Sequence, residues 1–221
     1  MIIGLTQPWE TLNPVSGFAV SEYEFWNVQY AGLTTRAADD FAPEPGLAES
    51  WVENEPGVSY TYTLRDGLTW SDGEPLTAED IAWNVNTSRD QEWSNYIATT
   101  GNLTAEVVDD RTVTITSSTT DPKLPTLEIY IVPKHTWEEQ ATPETIETYE
   151  NLDGVGSGPF VLEDYQSEES LTVVANDAYF GGRPAIDRII YRYFSNPDAM
   201  VAALERGEID AAHDLPTAAM Q

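Results

Sequence analysis

The 221 residues predict an α/β fold built on a mixed sheet. Three stretches carry that expectation. Residues 59–64 (SYTYTL) alternate small polar with large apolar side chains, the period-two pattern of a half-buried strand. Thr77 precedes a helical run and has Asp80 three residues on, an imperfect capping box. Beyond Gly156, strand-like segments lead into Asn196-Pro197, a helix start, and then into a short apolar run. That is the order of a βαβ-like crossover.

Taken in order, residues 1–5 read as the first strand and residues 6–20 as a long irregular loop holding Pro8 and Pro14. Ser21 with Glu24 forms an S-x-x-E capping box, so a helix is expected from Ser21, with Phe25, Val28 and Gln29 or Tyr30 at helical spacing. Residues 47–52 and 59–64 are expected to be strands, with turns at Asp66-Gly67 and Asp72-Gly73. The helix opened by Thr77 buries Ile81 and Val85. Residues 103–108 and 112–116 form a hairpin across Asp109-Asp110-Arg111. Residues 124–130, 134–140 and 143–149 read as short helices, and residues 160–165, 171–175 and 186–193 as strands. Pro197 starts a helix that Gly207 ends, and residues 209–212 form a last short strand.

Several ordered blocks resemble one family. The stretch LAESW, then a strand, then LRDG-x-x-W-S-DG-x-P-x-TAED occupies residues 47–80. Upstream are Leu12-Asn13-Pro14 and Tyr30-Ala31-Gly32-Leu33. Downstream are Val132-Pro133-Lys134-His135, Gly156-Ser157-Gly158-Pro159-Phe160, Asn176 to Pro184 (NDAYFGGRP) and Ala203 to Asp210 (ALERGEID). Together they resemble the family 5 extracellular solute-binding proteins of ABC importers, of the dipeptide, oligopeptide and nickel type. The resemblance implies a periplasmic-binding-protein-like type II fold, seen here as one lobe with a mixed sheet plus an inserted α+β subdomain. Residues 1–30 and 153–221 would form the main part of lobe one and residues 31–152 the insertion, with the second lobe absent from this chain. It also implies non-catalytic solute capture by lobe closure, with peptide favoured, and ABC permease subunits as partners. The expected setting is the extracellular face of the cell membrane, peripheral or lipid-anchored in the full-length form. No cofactor is implied, and the expected state is a monomer.

The charge balance narrows the setting. Thirty-eight acidic against ten basic residues give a formal net charge of −28, and Lys123 and Lys134 are the only lysines. Such a surface repels nucleic acid and anionic membranes. It suits a chain bathed in molar salt, where the Debye length falls to ~3 Å, and the expected source is a halophile, of haloarchaeal type. Seven tryptophans and eleven tyrosines, within a 41% hydrophobic composition, supply a core and exclude a disordered chain. There is no cysteine, hence no disulfide and no thiolate metal site. No apolar run reaches the ~18 residues of a spanning helix.

Enzyme chemistry finds little support. His135 and His213 are isolated, with no H-E-x-x-H pattern. Gly154-Val155-Gly156-Ser157-Gly158 is neither G-x-S-x-G nor G-x-G-x-x-G, and its glycines read as backbone freedom at a sharp return. An extracellular hydrolase and a chemosensory or structural module remain as rival readings. For binding, the resemblance carries one cleft wall onto residues 16–21, with Phe18, Ala19 and Val20 nearest the ligand and Ser21 at the helix start. A second candidate wall is Trp93 to Tyr96. Core packing of Phe18, or a partly buried surface position for the aromatics of Trp93 to Tyr96, is the alternative in each case.

Overall fold

The computed structural model describes residues 1–213 and 215. Two sheets organise it. The first has five strands in the order β11-β1-β10-β9-β8. Here β1 is Ile2–Leu5, β8 Phe160–Gln166, β9 Ser170–Ala175, β10 Arg188–Tyr193 and β11 Ala211–Ala212. β1 runs parallel to β10 (Ile2 opposite Ile190) and parallel to β11 (Ile3 opposite Ala211). The β10–β9 and β9–β8 pairs are antiparallel. The sheet is therefore mixed. The expected crossover is present as β10, helix α5 (Pro197–Glu205) and β11, straddling β1. Asn196 caps α5 by accepting the Asp198 N–H through Oδ1 at 2.8 Å, with Pro197 at the first helical position.

The second sheet is antiparallel, in the order β4-β5-β7-β6. Its strands are β4 (Ala48–Glu55), β5 (Ser59–Leu64), β6 (Leu103–Asp109) and β7 (Thr112–Ser117). In β5, Tyr60, Tyr62 and Leu64 are buried while Ser59, Thr61 and Thr63 face outward, as the alternation requires. On the outer face Thr61 pairs with Thr114 through their hydroxyls at 2.9 Å. Helix α2 (Ala78–Asp90) covers the inner face, with Ile81 and Val85 fully buried. The reciprocal half of its capping box forms: Asp80 Oδ2 accepts the Thr77 N–H at 2.9 Å. A two-stranded ribbon, β2 (Thr34–Arg36) with β3 (Pro43–Pro45), leads into β4.

Four local expectations are corrected. Helix α1 (Val20–Gln29) takes Ala19, not Ser21, as its N-cap. The Ser21 hydroxyl donates instead to the Pro8 carbonyl at 3.1 Å, and Glu22 rather than Glu24 reaches back, accepting the Ala19 N–H at 2.8 Å. Residues 124–130 make only one 3₁₀ turn, Leu124–Thr126. The carbonyls a helix would use are taken by side chains: the Tyr62 hydroxyl donates to Leu124 O at 2.7 Å and Thr34 Oγ1 to Pro125 O at 2.9 Å. Residues 143–149 likewise hold only a 3₁₀ turn, Ile146–Thr148, because Asn13 Nδ2 donates to the Ile146 carbonyl at 2.6 Å. Finally, among the glycines of the return only Gly154 takes the positive φ (69°) that backbone freedom allows, while Gly156 and Gly158 serve close approach. A Cβ on Gly156 would sit 2.3 Å from Gln29 O, and one on Gly158 2.4 Å from Val28 O, so the chain grazes the end of α1 there. The 134–140 segment begins as expected with α4 (Lys134–Trp137), after α3 (Ile97–Thr100), and tightens into a 3₁₀ turn at Glu138–Gln140.

One apolar core runs beneath both sheets. It includes Trp9, Trp26, Trp70, Trp93 and Trp137, all at most 2% exposed. No helix among the described residues is long and apolar enough to cross a membrane.

Candidate binding cleft

A cleft of about 740 Å³ opens between α1, the β2–β3 ribbon and the extended segment 126–130. That volume lies within the ~300–1,000 Å³ range of small-molecule sites. Tyr23, Asn27 and Tyr30 enter it from α1. Their spacing of four and then three residues places all three on one helical face. The opposite face, with Phe25, Trp26 and Gln29, is buried in the core. From the far wall comes Tyr130, which touches Trp26 edge to face at 5.5 Å between ring centres and lies 6.4 Å from Tyr23 and 6.2 Å from Tyr30.

Hydrogen bonds fix these rings. The Tyr23 hydroxyl donates to Asn95 Oδ1 and the Tyr130 hydroxyl to Asn27 Oδ1, each at 3.0 Å. The Tyr96 hydroxyl donates to the Tyr130 carbonyl at 2.8 Å. Burial pushes the Tyr30 phenol up to about 12 and raises those of Tyr96 and Tyr130 further. All three stay neutral near pH 7, so this wall offers aromatic faces and uncharged hydroxyls. Tyr179 and Phe180, with ring centres 4.7 Å apart, close one end. The Arg65 guanidinium lies 5.0 Å over the Phe180 ring and holds the Gly46 carbonyl through Nε at 2.7 Å. At the rim Arg36 of β2 forms an ion pair with Glu128.

The sequence-predicted residues divide. Tyr96 lines this cleft although it is only 1% exposed. Trp93 reaches no surface. It is wholly buried, edge-on to Trp83 at 5.7 Å and to Tyr96 at 5.5 Å between ring centres. Phe18 and Val20 project, at 64% and 54% exposure, while Ser21 is turned inward to Pro8. Phe18 and Ala19 border a second, smaller hollow of about 300 Å³, shared with Glu10, Thr11, Ser16 and Glu22. Asn95 ties the loop before α1 to the main cleft. Its N–H donates to Val15 O and its Nδ2 to Pro14 O, both at 2.9 Å, while its Oδ1 holds Tyr23 in the main cleft.

Glu22 shapes the smaller hollow. Its carboxylate accepts three backbone N–H groups: Glu10 and Thr11 at Oε1, both 3.0 Å, and Ala19 at Oε2, 2.8 Å. Gly17 lies against it. A Cβ there would meet Glu22 Oε2 and the Trp26 ring at 2.5 Å each, so only glycine lets the loop pass this close.

Sequence reasoning missed Tyr23, Asn27, Arg36, Glu128, Tyr130, Tyr179 and Phe180. A signal existed for residues 127–131: Leu127-Glu128-Ile129-Tyr130-Ile131 alternates, and Leu127, Ile129 and Ile131 are buried while Glu128 is exposed. That is an extended pattern. No three or more His, Asp or Glu side chains among the described residues are grouped so as to hold a metal ion.

Known proteins share this architecture. The structure of the ABC transporter substrate-binding protein CtaP from Listeria monocytogenes superposes with a TM-score of 0.82 at 32% identity, covering 95% of this chain and 43% of that one. MoaA from A. tumefaciens R10, solved in complex with mannopinic acid, gives a TM-score of 0.84 at 29% identity, covering 95% of this chain and 44% of that one. The nickel-binding periplasmic protein of Escherichia coli is 29% identical over 173 residues, 75% of this chain and 32% of that protein. This chain thus spans about a third of the length of the curated relatives it matches. The fold is that of the type II periplasmic binding proteins. The profile of bacterial extracellular solute-binding proteins, family 5, matches residues 42–221, and the chain belongs to that family.

Proposed function

We propose that the chain captures a solute for an ABC importer, outside the membrane and without covalent chemistry, and that a short peptide is the favoured cargo. The observation that carries this reading is the tyrosine-lined cleft of about 740 Å³. Its walls present aromatic faces and neutral hydroxyls, with one ion pair, Arg36–Glu128, at the rim, the chemistry of a binding pocket rather than of a nucleophile–base pair. In this reading Phe18 and Val20, which project, and Ala19, at the smaller hollow, belong to the same binding surface. There they extend the surface a ligand would meet, with Tyr96 contributing from within. Ser21 and Trp93 support these residues from behind.

In this reading residues 1–30 and 153–221 form the main part of lobe one, and residues 31–152 are inserted into it. Support comes from the pairing of β1 with β10 and β11, while β4 to β7 build a sheet of their own. A second lobe, absent from this chain, closes over the cleft and hands the solute to permease subunits. The protein works as a monomer, peripheral to the membrane or lipid-anchored. Calorimetry of the 221-residue chain and of a two-lobed form, against a peptide and oligosaccharide panel, tests capture. A micromolar ligand for two lobes corresponds to about −8.2 kcal/mol, and loss of one wall should bring it toward about −4.1 kcal/mol, the millimolar range. No binding by either form, or micromolar binding by the 221-residue chain alone, overturns the corresponding part of the reading.

The acidic surface belongs to the same proposal. The formal charge of −28 fits a halophile's protein whose self-repulsion is screened in molar salt. Circular dichroism between about 0.1 and about 3 M KCl should show the folded state gaining stability with salt, most of it as the Debye length shrinks toward ~3 Å. Equal stability at both ends refutes the halophilic assignment.

A further inference from the structure

We infer that Arg36 is a specificity-determining residue of the cleft, and that it selects solutes carrying a carboxylate by exchanging Glu128 for that carboxylate. The inference rests on the capture reading above. Among the described residues lining the cleft, Arg36 is the one basic residue and Glu128 the one acidic residue. The chain as a whole carries 38 acidic against 10 basic residues. In such a field an ammonium group is attracted over most of the surface, so Glu128 adds little discrimination. A carboxylate is repelled nearly everywhere and finds its single attractor in the cleft at Arg36.

The local geometry fits exchange rather than a fixed bridge. Arg36 contacts Glu128 Oε1 through Nη2, and the same Nη2 makes a long contact, 3.5 Å, to Thr126 Oγ1. Both contacts use one arm of the guanidinium fork. A carboxylate entering from the cleft can take two parallel N–H groups, which a single-armed bridge does not satisfy. Neither side chain is locked: that of Arg36 is 39% exposed and that of Glu128 65%. Glu128 can therefore turn to solvent at small cost when displaced, since exposed pairs contribute little. The ribbon that carries Arg36 is itself tied to the opposite wall by Thr34 Oγ1 to Pro125 O, so the arginine stays at the cleft when its partner leaves.

The test uses N-acetyl-Ala-Phe-Ala as the free acid and as its C-terminal amide. Calorimetry is run at fixed salt on whichever of the two forms above binds more tightly. Wild type should prefer the acid by about threefold. Glu128→Gln, which removes the competitor, should widen the preference to about tenfold, and Arg36→Gln should abolish it. Thermal unfolding followed by circular dichroism reports that the variants fold, and the acid-to-amide ratio within each variant is the quantity read. Equal affinities in wild type, or a preference surviving in Arg36→Gln, overturns the inference and leaves solute capture standing. So does a neutral oligosaccharide that binds when neither peptide does. Failure of every panel solute to bind overturns capture itself.

Discussion

Replacing Glu22 should be among the most damaging single changes to this chain. The side chain is 1% exposed and its carboxylate accepts three backbone N–H groups, from Glu10, Thr11 and Ala19, at 2.8 to 3.0 Å. Hydrogen bonds to a charged group contribute about 1.5–3 kcal/mol each. Glu22→Ala removes all three, but water can reach part of the loop once the side chain is gone. The net loss should be about 4 kcal/mol. Glu22→Gln keeps one oxygen for Glu10 and Thr11 at neutral strength and turns an NH₂ group toward the Ala19 N–H, so about 2 kcal/mol is expected. At about 2–4 °C per kcal/mol for a chain of this size, the melting temperature should fall by about 8–16 °C for alanine and about half that for glutamine. Thermal unfolding followed by circular dichroism at constant KCl reads both. An alanine variant within about 2 °C of wild type, or a glutamine variant as damaged as the alanine one, would refute the reasoning that three charge-assisted bonds hold this loop.

Two further predictions concern pH. The Tyr30 phenol has its ordinary value of 10.0 in the unfolded chain and is pushed to about 12 by burial. The folded state therefore keeps this proton longer, and its contribution is full below pH 10 and disappears as the pH climbs to about 12. Tyr30→Phe should flatten urea stability across that window, and an unchanged alkaline slope would count against the assignment. Burial also raises the Asp80 carboxyl above its ordinary 3.8, in spite of the N–H groups of Thr77 and Lys134 that it accepts. Its contribution is then largest in acid and declines as the pH rises through the folded value. Asp80→Asn loses one acceptor, costing about 2 kcal/mol, and its deficit against wild type should be greatest at low pH and shrink toward neutrality. A deficit that grows with pH would reverse the sign argued here.

Much of the scaffold was legible because it is local. The 59–64 alternation, the Asp109-Asp110-Arg111 turn and the Asn196-Pro197 start each carry their own physical signal within a few residues, and each forms the expected element. The cleft was less legible because its walls converge from α1, the ribbon, segment 126–130 and Tyr179-Phe180, and no local pattern announces that meeting. Where local rules misled, a distant side chain had claimed a backbone group. Tyr62 and Thr34 take the carbonyls that would have continued a helix past Thr126, and Pro8 takes the hydroxyl that would have made Ser21 a cap. Trp93 illustrates the same limit: a tryptophan after a helix is compatible with a ligand wall or with the core, and only packing against Trp83 and Tyr96 decides its burial.

The place of β1 has a consequence for how the chain comes into being. Its neighbours are β10 on one side and β11 on the other, and the Met1 ammonium donates to the Arg188 carbonyl, 187 residues away. A ribosome adding about 5–20 residues per second leaves this strand without either partner for about 10–40 s. The β4–β5 and β6–β7 hairpins, each closed by a short turn, can assemble within that interval. The apolar Ile2 and Ile3 wait in an unfinished sheet, which leaves this strand open to a chaperone before the last strands emerge.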